Sequence, residues 1–292
     1  PFLTSRLQSK ITETYTRLSF EPSAETCHVM SEDWDNLLIL DGCRYDFFDS
    51  VQDLSGTLEA RTSLGSATPE FLADNFEGTP HHDTVYVTAN PFVTRLGDDV
   101  FYAVDSLEEY WNDDIGTIWP SDVVKAAIEA NQEYPNKRLV VHFMQPHRPY
   151  LGPTAEELRE RVDLVGYQNE GNGIQIWGAV KQGDVSLYEV RRAYSETLDI
   201  VLEETASLLS EIDGKTVITS DHGEMLGEKI LPFTSRVWGH SEGFNTPKLR
   251  NVPWLVVNSD KRRKITQEKP ITIEEHDDDL VQDRLQSLGY KT

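Results

Sequence analysis

A mostly parallel central sheet with helices on both faces is the α/β architecture this sequence predicts. Three observations carry that expectation: short runs of continuous apolarity, helical spacing between them, and acidic or imidazole residues just beyond them. The runs are Asn36–Leu40 (NLLIL), 84–88 (TVYVT), Arg138–Phe143 (RLVVHF), 215–219 (KTVIT) and 252–257 (VPWLVV). Continuous rather than alternating apolarity suits strands buried on both faces, as in a parallel sheet covered by helices. Between the runs, Ser121 is expected to cap a helix over 122–130. A longer one over 187–209 carries Leu187, Val190, Tyr194, Leu198, Val201, Leu202 and Leu208 at three- and four-residue steps. A short amphipathic helix is expected over 277–290. Strands that alternate with helices point to a doubly wound core. No internal repeat or low-complexity linker interrupts the 292 residues, so a single domain over 1–292 is expected. The acidic, then glycine-rich stretch 152–184 reads as a surface excursion near the strand ends, either a plain acidic loop or a lid.

Composition narrows the partners. The chain has 27 basic and 50 acidic residues, a net charge of −23. Such a surface repels nucleic-acid backbones and anionic lipid, so neither is an expected partner. The acids are spread along the chain rather than gathered in a tail, which suits solvation in a high-salt cytoplasm and suggests a halophilic source. Cys27 and Cys43 are the only cysteines, too few for a disulfide framework. No apolar run approaches the roughly 20 residues of a membrane span, and no signal-peptide pattern opens the chain at Pro1. A cytoplasmic location is the expectation. Nothing in the sequence sets the oligomeric state.

In open parallel sheets, ligands gather beyond the carboxyl ends of the strands. Asp41 follows the first run, and Asn90 comes shortly after the second. His142 lies in the third with His147 beyond it, and Ser220-Asp221-His222-Gly223-Glu224 follows the fourth. A carboxylate or imidazole at the end of a buried strand is costly unless it is paired or binds a metal. A turn or cap would explain any one of these residues. The concurrence of Asp41, Asp221 and His222 favours a shared metal ion. Gly223 is expected to supply the backbone freedom that lets its two predecessors converge. His142, inside a strand, is expected to be a satisfied core histidine. Trp111, Trp119 and Trp238 read as core, with a sugar platform as the alternative.

Ser220-Asp221-His222-Gly223-Glu224 after an apolar strand resembles the metal-binding segment of the alkaline phosphatase superfamily, above all its sulfatase-like branch. Asp41 in Leu40-Asp41-Gly42-Cys43-Arg44 is similar to that superfamily's first metal-binding aspartate. The stretch from His142 to Tyr150 (HFMQPHRPY), Trp238-Gly239-His240, the 249–253 segment and the ending at 285–290 resemble further pieces in the same order. The likeness runs from about Asn36 to Tyr290. It implies a side-chain nucleophile at a helix N-terminus, where amides and the helix dipole favour negative charge. Gly65-Ser66-Ala67-Thr68-Pro69-Glu70 has that grammar: Thr68 as N-cap, then Pro69 at the first helical position. Thr68 is the candidate nucleophile, Ser66 the alternative, and a purely capping role the third reading. The sequence departs from classical sulfatases in carrying no Cys-x-Pro-Ser-Arg motif, so formylglycine chemistry is not expected, and Cys43 reads as a small buried filler.

The resemblance therefore implies a metal-dependent hydrolase of phosphate or sulfate esters, acting on a small-molecule or glycan-linked anionic ester. Asp41, Thr68, Asp221 and His222 would hold a divalent cation (Zn, Mn, Mg or Ca), as one ion or two. His147 and His240 would orient the transferred group, protonate the leaving oxygen or ligate a second ion. Arg44 and Asn90 would contact the anion's oxygens, with a local ion pair as the alternative role for Arg44. Two other readings are a transferase of the same superfamily and a relative that binds anions without chemistry.

Overall fold

The computed structural model describes residues 2–97, 99–162, 164, 175–232 and 234–271. The chain opens with α1 (Phe2–Ser19), β1 (Thr26–Cys27) and β2 (Asn36–Leu40), followed by α2 (Tyr45–Val51), β3 (Thr57–Ser63) and α3 (Thr68–Phe76). Next come β4 (His81–Thr88), β5 (Phe101–Asp105), α4 (Pro120–Glu133) and β6 (Arg138–Phe143). The second half holds α5 (Pro153–Arg161), α6 (Ile176–Gln182), α7 (Leu187–Glu211), β7 (Thr216–Thr219), β8 (Met225–Lys229), β9 (Arg236–Gly239), α8 (Pro247–Arg250) and β10 (Asn251–Val257).

Eight strands form one sheet in the order β1-β3-β10-β7-β2-β6-β4-β5. All run one way except β10, which is antiparallel to both β3 and β7. The fold is thus the mostly parallel α/β sheet that the sequence predicts. The central strand β2 is buried at every position, and its alternate residues feed two cores. Leu38 and Leu40 join Val85, Val141, Phe143 and Ile218 under α2, α4 and α7. Leu37 and Ile39 join Tyr86, Val140, Val217 and Trp254 under α3 through Phe71, Leu72 and Phe76. This two-sided burial is why the strand sequences read as unbroken apolar runs.

Several local expectations are corrected. The helix expected over 122–130 begins at Pro120 with Trp119 as N-cap, because proline suits the first helical position; Ser121 lies inside it. The 187–209 helix extends to Glu211 and starts with a capping box between Ser186 and Glu189. The excursion at 152–184 is not a plain acidic loop. It contains α5 and α6, and Ala155, Leu158 and Ala179 pack with Tyr150, Val190, Tyr194 and Leu226. The helix expected over 277–290 and the ending at 285–290 lie outside the described residues. Among the described residues, no helix is long and apolar enough to cross a membrane.

Candidate active site

The carboxyl ends of β2, β3, β4, β6 and β7 share one rim of the sheet, and each delivers a polar group to it. Asp41 leaves β2, Ser220, Asp221 and His222 leave β7, and Asn90 follows β4. The turn after β3 leads into α3 and Thr68. His142 is the penultimate residue of β6, with His147 five positions later. Asp41, Thr68, Asn90, His142, Asp221, His222 and Glu224 are all at most 1 % exposed.

Four residues distant in sequence meet here. The Thr68 hydroxyl donates to Asp221 Oδ2 at 2.7 Å and lies 3.2 Å from His222 Nε2. His222 Nε2 is 3.3 Å from Asp221 Oδ2 and 3.8 Å from Asp41 Oδ1. His222 Nδ1 is 2.7 Å from the Gly223 carbonyl. A carbonyl only accepts, so Nδ1 carries the proton and the Nε2 lone pair faces the carboxylates and Thr68. The Asp221 carboxylate is steered by the Gly42 amide, which donates to Oδ1 at 3.0 Å from a left-handed turn at φ 66°. Asn90 Nδ2 donates to Asp41 Oδ2 at 2.6 Å, while Asn90 Oδ1 accepts from the Phe92 amide. Asn90 therefore orients the Asp41 carboxylate rather than facing a substrate with a free amide.

Thr68 is not the N-cap. Ala67 occupies that position, and Thr68 and Pro69 open the first turn of α3. The difference frees the hydroxyl from capping duty and lets it turn toward Asp221. Ser66 is engaged elsewhere, donating to Glu70 Oε2 at 2.7 Å. Gly223 is required for a reason other than the expected turn. Its φ is not left-handed, but a Cβ there would sit 2.0 Å from the Lys248 carbonyl oxygen. Its own amide donates to the Leu249 carbonyl at 2.8 Å. Gly223→Ala is expected to destabilise the protein by about 3 kcal/mol or more, seen as a lower urea midpoint, and to displace Asp221 and His222.

His142 is not the satisfied core residue expected of it. Its Nδ1 shares a hydrogen bond with the Tyr86 hydroxyl at 3.0 Å. Its Nε2 has no hydrogen-bond partner and lies 4.0 Å from Asp41 Oδ2 and 3.9 Å from Asp221 Oδ2. Asp41, His142 and Asp221 thereby form a group whose ligand atoms all lie within 4.8 Å of one another. A second such group joins His147, Glu224 and His240. The His240 Nδ1 hydrogen-bonds Glu224 Oε2 at 2.9 Å. The His240 ring centroid is 4.2 Å from that of His222 and 5.0 Å from that of His147, so the two groups adjoin. Glu224 is a site residue that the sequence expectations do not include, although its place in the Ser220–Glu224 motif is a signal for it.

Arg44 departs from its expected role. It donates to both oxygens of Asp46, at 2.9 and 2.7 Å, and to Glu228 at 2.6 Å. The ion-pair alternative accounts for its guanidinium, and no anion contact is needed to explain its burial. The Trp238 ring tilts against Trp177 at 5.3 Å, and Trp111 packs on the core cluster under α4 and α7.

Electrostatics favour a cation. Burial drives the Asp41 carboxyl well above its ordinary value, and the Asp221 charge adds to this. Burial pushes Asp221 upward as well, but His222, His142, Thr68 and the Gly42 amide outweigh it and hold the group below the usual range. Burial also holds His222 below the ordinary imidazole value, His147 well below it, and His142 down to about 4. Neutral imidazoles are the state that metal ligands need, whereas the raised Asp41 carboxyl must give up its proton for a cation to bind. Asp41 Oδ1, His142 Nε2 and Glu224 Oε1 are buried without a hydrogen-bond partner. Such orphaned acceptors are costly, and a divalent ion would compensate them. The residues fit a divalent metal with mixed oxygen and imidazole ligands.

Comparison with known proteins bears on the fold and the family. No curated protein matches the sequence. In fold, the chain is similar to the C-terminal periplasmic domain of EptC from Escherichia coli in complex with Zn. The TM-score is 0.51 at 14 % identity, over 79 % of this chain and 74 % of that one. It also aligns with the phosphonate monoester hydrolase of Agrobacterium radiobacter (TM-score 0.48, 14 % identity, 76 % and 67 % covered). A third similar structure is the integral membrane lipooligosaccharide phosphoethanolamine transferase A of Neisseria meningitidis (TM-score 0.48, 11 % identity, 86 % and 54 % covered). The sulfatase family model matches residues 78–290, well over half of the sequence and including His142, His147, Asp221, His222 and His240. On that match, the chain belongs to the sulfatase family.

Proposed function

We propose that this protein is a metal-dependent hydrolase of phosphate or sulfate esters with Thr68 as its nucleophile. The observation that carries the reading is the approach of Thr68 Oγ1 to Asp221 Oδ2 and His222 Nε2 at the N-terminus of α3. Asp41, Asp221, His222 and Thr68 would hold the cation, with His142 beside them. A divalent ion bound there supplies Lewis acidity, lowering the hydroxyl pKa and neutralising the ester oxygens.

The chain's own residues do the rest. Asp221 Oδ2, to which the Thr68 hydroxyl donates, takes the hydroxyl proton as Oγ1 attacks. Oγ1 forms a bond to phosphorus or sulfur as the bond to the alcohol oxygen breaks. The N-terminal end of α3 favours the negative charge that gathers there. His240, doubly protonated with its Nδ1–H held by Glu224, gives the Nε2 proton to the leaving oxygen. His147, kept neutral by burial, hydrogen-bonds an oxygen of the transferred group. Water then attacks phosphorus or sulfur and gives a proton back to His240 Nε2, the bond to Oγ1 breaks, and Asp221 returns the proton to Thr68.

The same intermediate could pass to an alcohol instead of water. Two of the similar structures carry relevant names, phosphoethanolamine transferase and phosphonate monoester hydrolase, and a threonine nucleophile suits either outcome. The test is turnover of 4-nitrophenyl phosphate, bis(4-nitrophenyl) phosphate and 4-nitrophenyl sulfate by metal-loaded protein in molar KCl, with and without methanol or ethanolamine. Free phosphate or sulfate as the product supports hydrolysis, and an alkylated product supports transfer. No release of 4-nitrophenol from any ester, by protein shown to hold its metal, would count against both. The molar salt also tests the halophilic reading, which expects activity to fall on dilution.

A further inference from the structure

Beyond His147 the chain continues through Arg148 to Tyr150, and these residues form one wall of a cleft that the scheme above leaves unused. Leu158 and Arg159 of α5, Ile176 of α6 and Ile115 are among its other lining residues. The cleft holds about 50 Å³, room for a slender aliphatic chain rather than an aromatic ring. Its walls are packed: Tyr150 and Leu158 are both buried in the small core that ties α5 and α6 to α7.

Two arginines give this apolar cleft a sign. Arg148 links it to the metal-ligand cluster. It donates to Gln175 Oε1 at 3.2 Å, and its charge is felt at Asp41, His147 and Glu224. Arg159 is half-buried and donates to the Tyr150 carbonyl at 2.9 Å. Among the described residues, Arg159 forms no ion pair, although the chain has 50 acidic residues and Glu156 is near. Burial depresses its pKa despite the nearby Glu156. Among the described residues this partly buried guanidinium, lined by isoleucine, leucine and tyrosine, feels the charge of Glu156 but forms no ion pair, and a ligand anion would complete it.

We propose that this cleft receives the alcohol portion of the substrate, and that Arg159 selects esters whose short aliphatic chain ends in a second anionic group. The inference rests on the ester chemistry proposed above and adds a substrate class to it. The second anion is a carboxylate or phosphate set a few carbons from the reacting ester. The apolar walls take the intervening methylenes, and Arg148 lies between the reacting centre and the chain.

The test compares 4-(phosphonooxy)butanoate with butyl phosphate, which match in length and differ in the terminal charge. Metal-loaded wild-type protein is expected to favour the carboxylate-bearing ester by about tenfold or more in kcat/KM. Arg159→Gln should bring that ratio close to one, and Arg159→Lys should restore part of it. Ile176→Glu, which keeps Arg159 but adds a repelling charge to the wall, should lower the ratio on its own if Arg159→Gln fails to fold. Binding of both esters to Thr68→Ala protein by calorimetry reads the cleft without turnover. Tighter binding of 4-(phosphonooxy)butanoate there supports the cleft assignment even if the wild type hydrolyses neither ester, an outcome that would sink only the hydrolytic reading. Equal affinity for the two esters, or a preference that survives Arg159→Gln, overturns the assignment.

Discussion

Thr68→Ala is expected to lower ester turnover by at least about 10³-fold while the protein remains folded and metal-loaded. The side chain is small and buried, and its hydroxyl donates to Asp221 and lies beside His222 Nε2. Removing it costs about 1 kcal/mol of hydrogen bonding, too little to unfold a protein of this size. The catalytic loss should therefore far exceed the structural one. Thr68→Ser keeps Oγ and should retain measurable turnover, whereas Ser66→Ala should leave activity within a few-fold, because Ser66 hydrogen-bonds Glu70. Trapping separates the roles further: quenching the wild type with a slow phosphate ester should leave phosphate on residue 68, detected by peptide mass. Near-normal activity in Thr68→Ala would eliminate this nucleophile.

Asp221→Asn is expected to abolish both stoichiometric metal binding and turnover. In the wild type, a saturating divalent ion should raise the melting temperature, since an ion at 1,000 times its Kd adds about 4 kcal/mol to stability. In Asp221→Asn that increment should vanish. The metal-free variant should melt below metal-free wild type, because the ionised Asp221 carboxylate is held by His222, His142, Thr68 and the Gly42 amide, so the metal increment is read within each protein, with and without the ion. The pH dependence follows from Asp41. Burial and Asp221 raise its folded pKa above the unfolded value. Without metal, its contribution to stability is present below the unfolded pKa and lost as pH rises through the folded one. A cation must displace that proton, so metal affinity should climb with pH, by about tenfold per unit where one proton leaves. Titration in weak buffer should show proton release on metal addition, and Asp41→Asn should remove it.

Much of this arrangement is legible in the sequence because of how burial works. Strands covered on both faces must be apolar at every position, so β2, β4, β6, β7 and β10 stand out as runs. β3 and β5 do not, since both lie toward the sheet margins and are only partly buried along their length. β1 has only two residues, and the β8–β9 hairpin is a short separate ribbon. For the site, Asp41, Asp221 and His222 are marked by the rule that ligands collect past the strand ends, and Thr68 by a proline-led helix start.

The rule fails where a polar group lies inside an element or turns back into the site. His142 lies within β6, but it shares the parity of Val140 and so faces the α3 side of the sheet, where Thr68 and Asp41 are. Glu224 begins the turn into β8, and its partner His240 lies 16 residues away. Arg44 shows the converse: a basic residue next to a metal-ligand candidate looks like an anion contact until its guanidinium is found on Asp46 and Glu228. Pairings across the fold decide such cases, and spacing along the chain does not encode them.

The most direct measurement is a crystal structure of zinc-loaded protein with anomalous data collected above the zinc edge. The arrangement described here requires a peak about 2.0–2.2 Å from a carboxylate oxygen of Asp41, one of Asp221 and Nε2 of His222, with Thr68 Oγ1 in or next to the coordination sphere. A peak elsewhere, or none in crystals of protein shown to contain zinc in solution, would contradict the claim that these four residues form a metal-dependent centre.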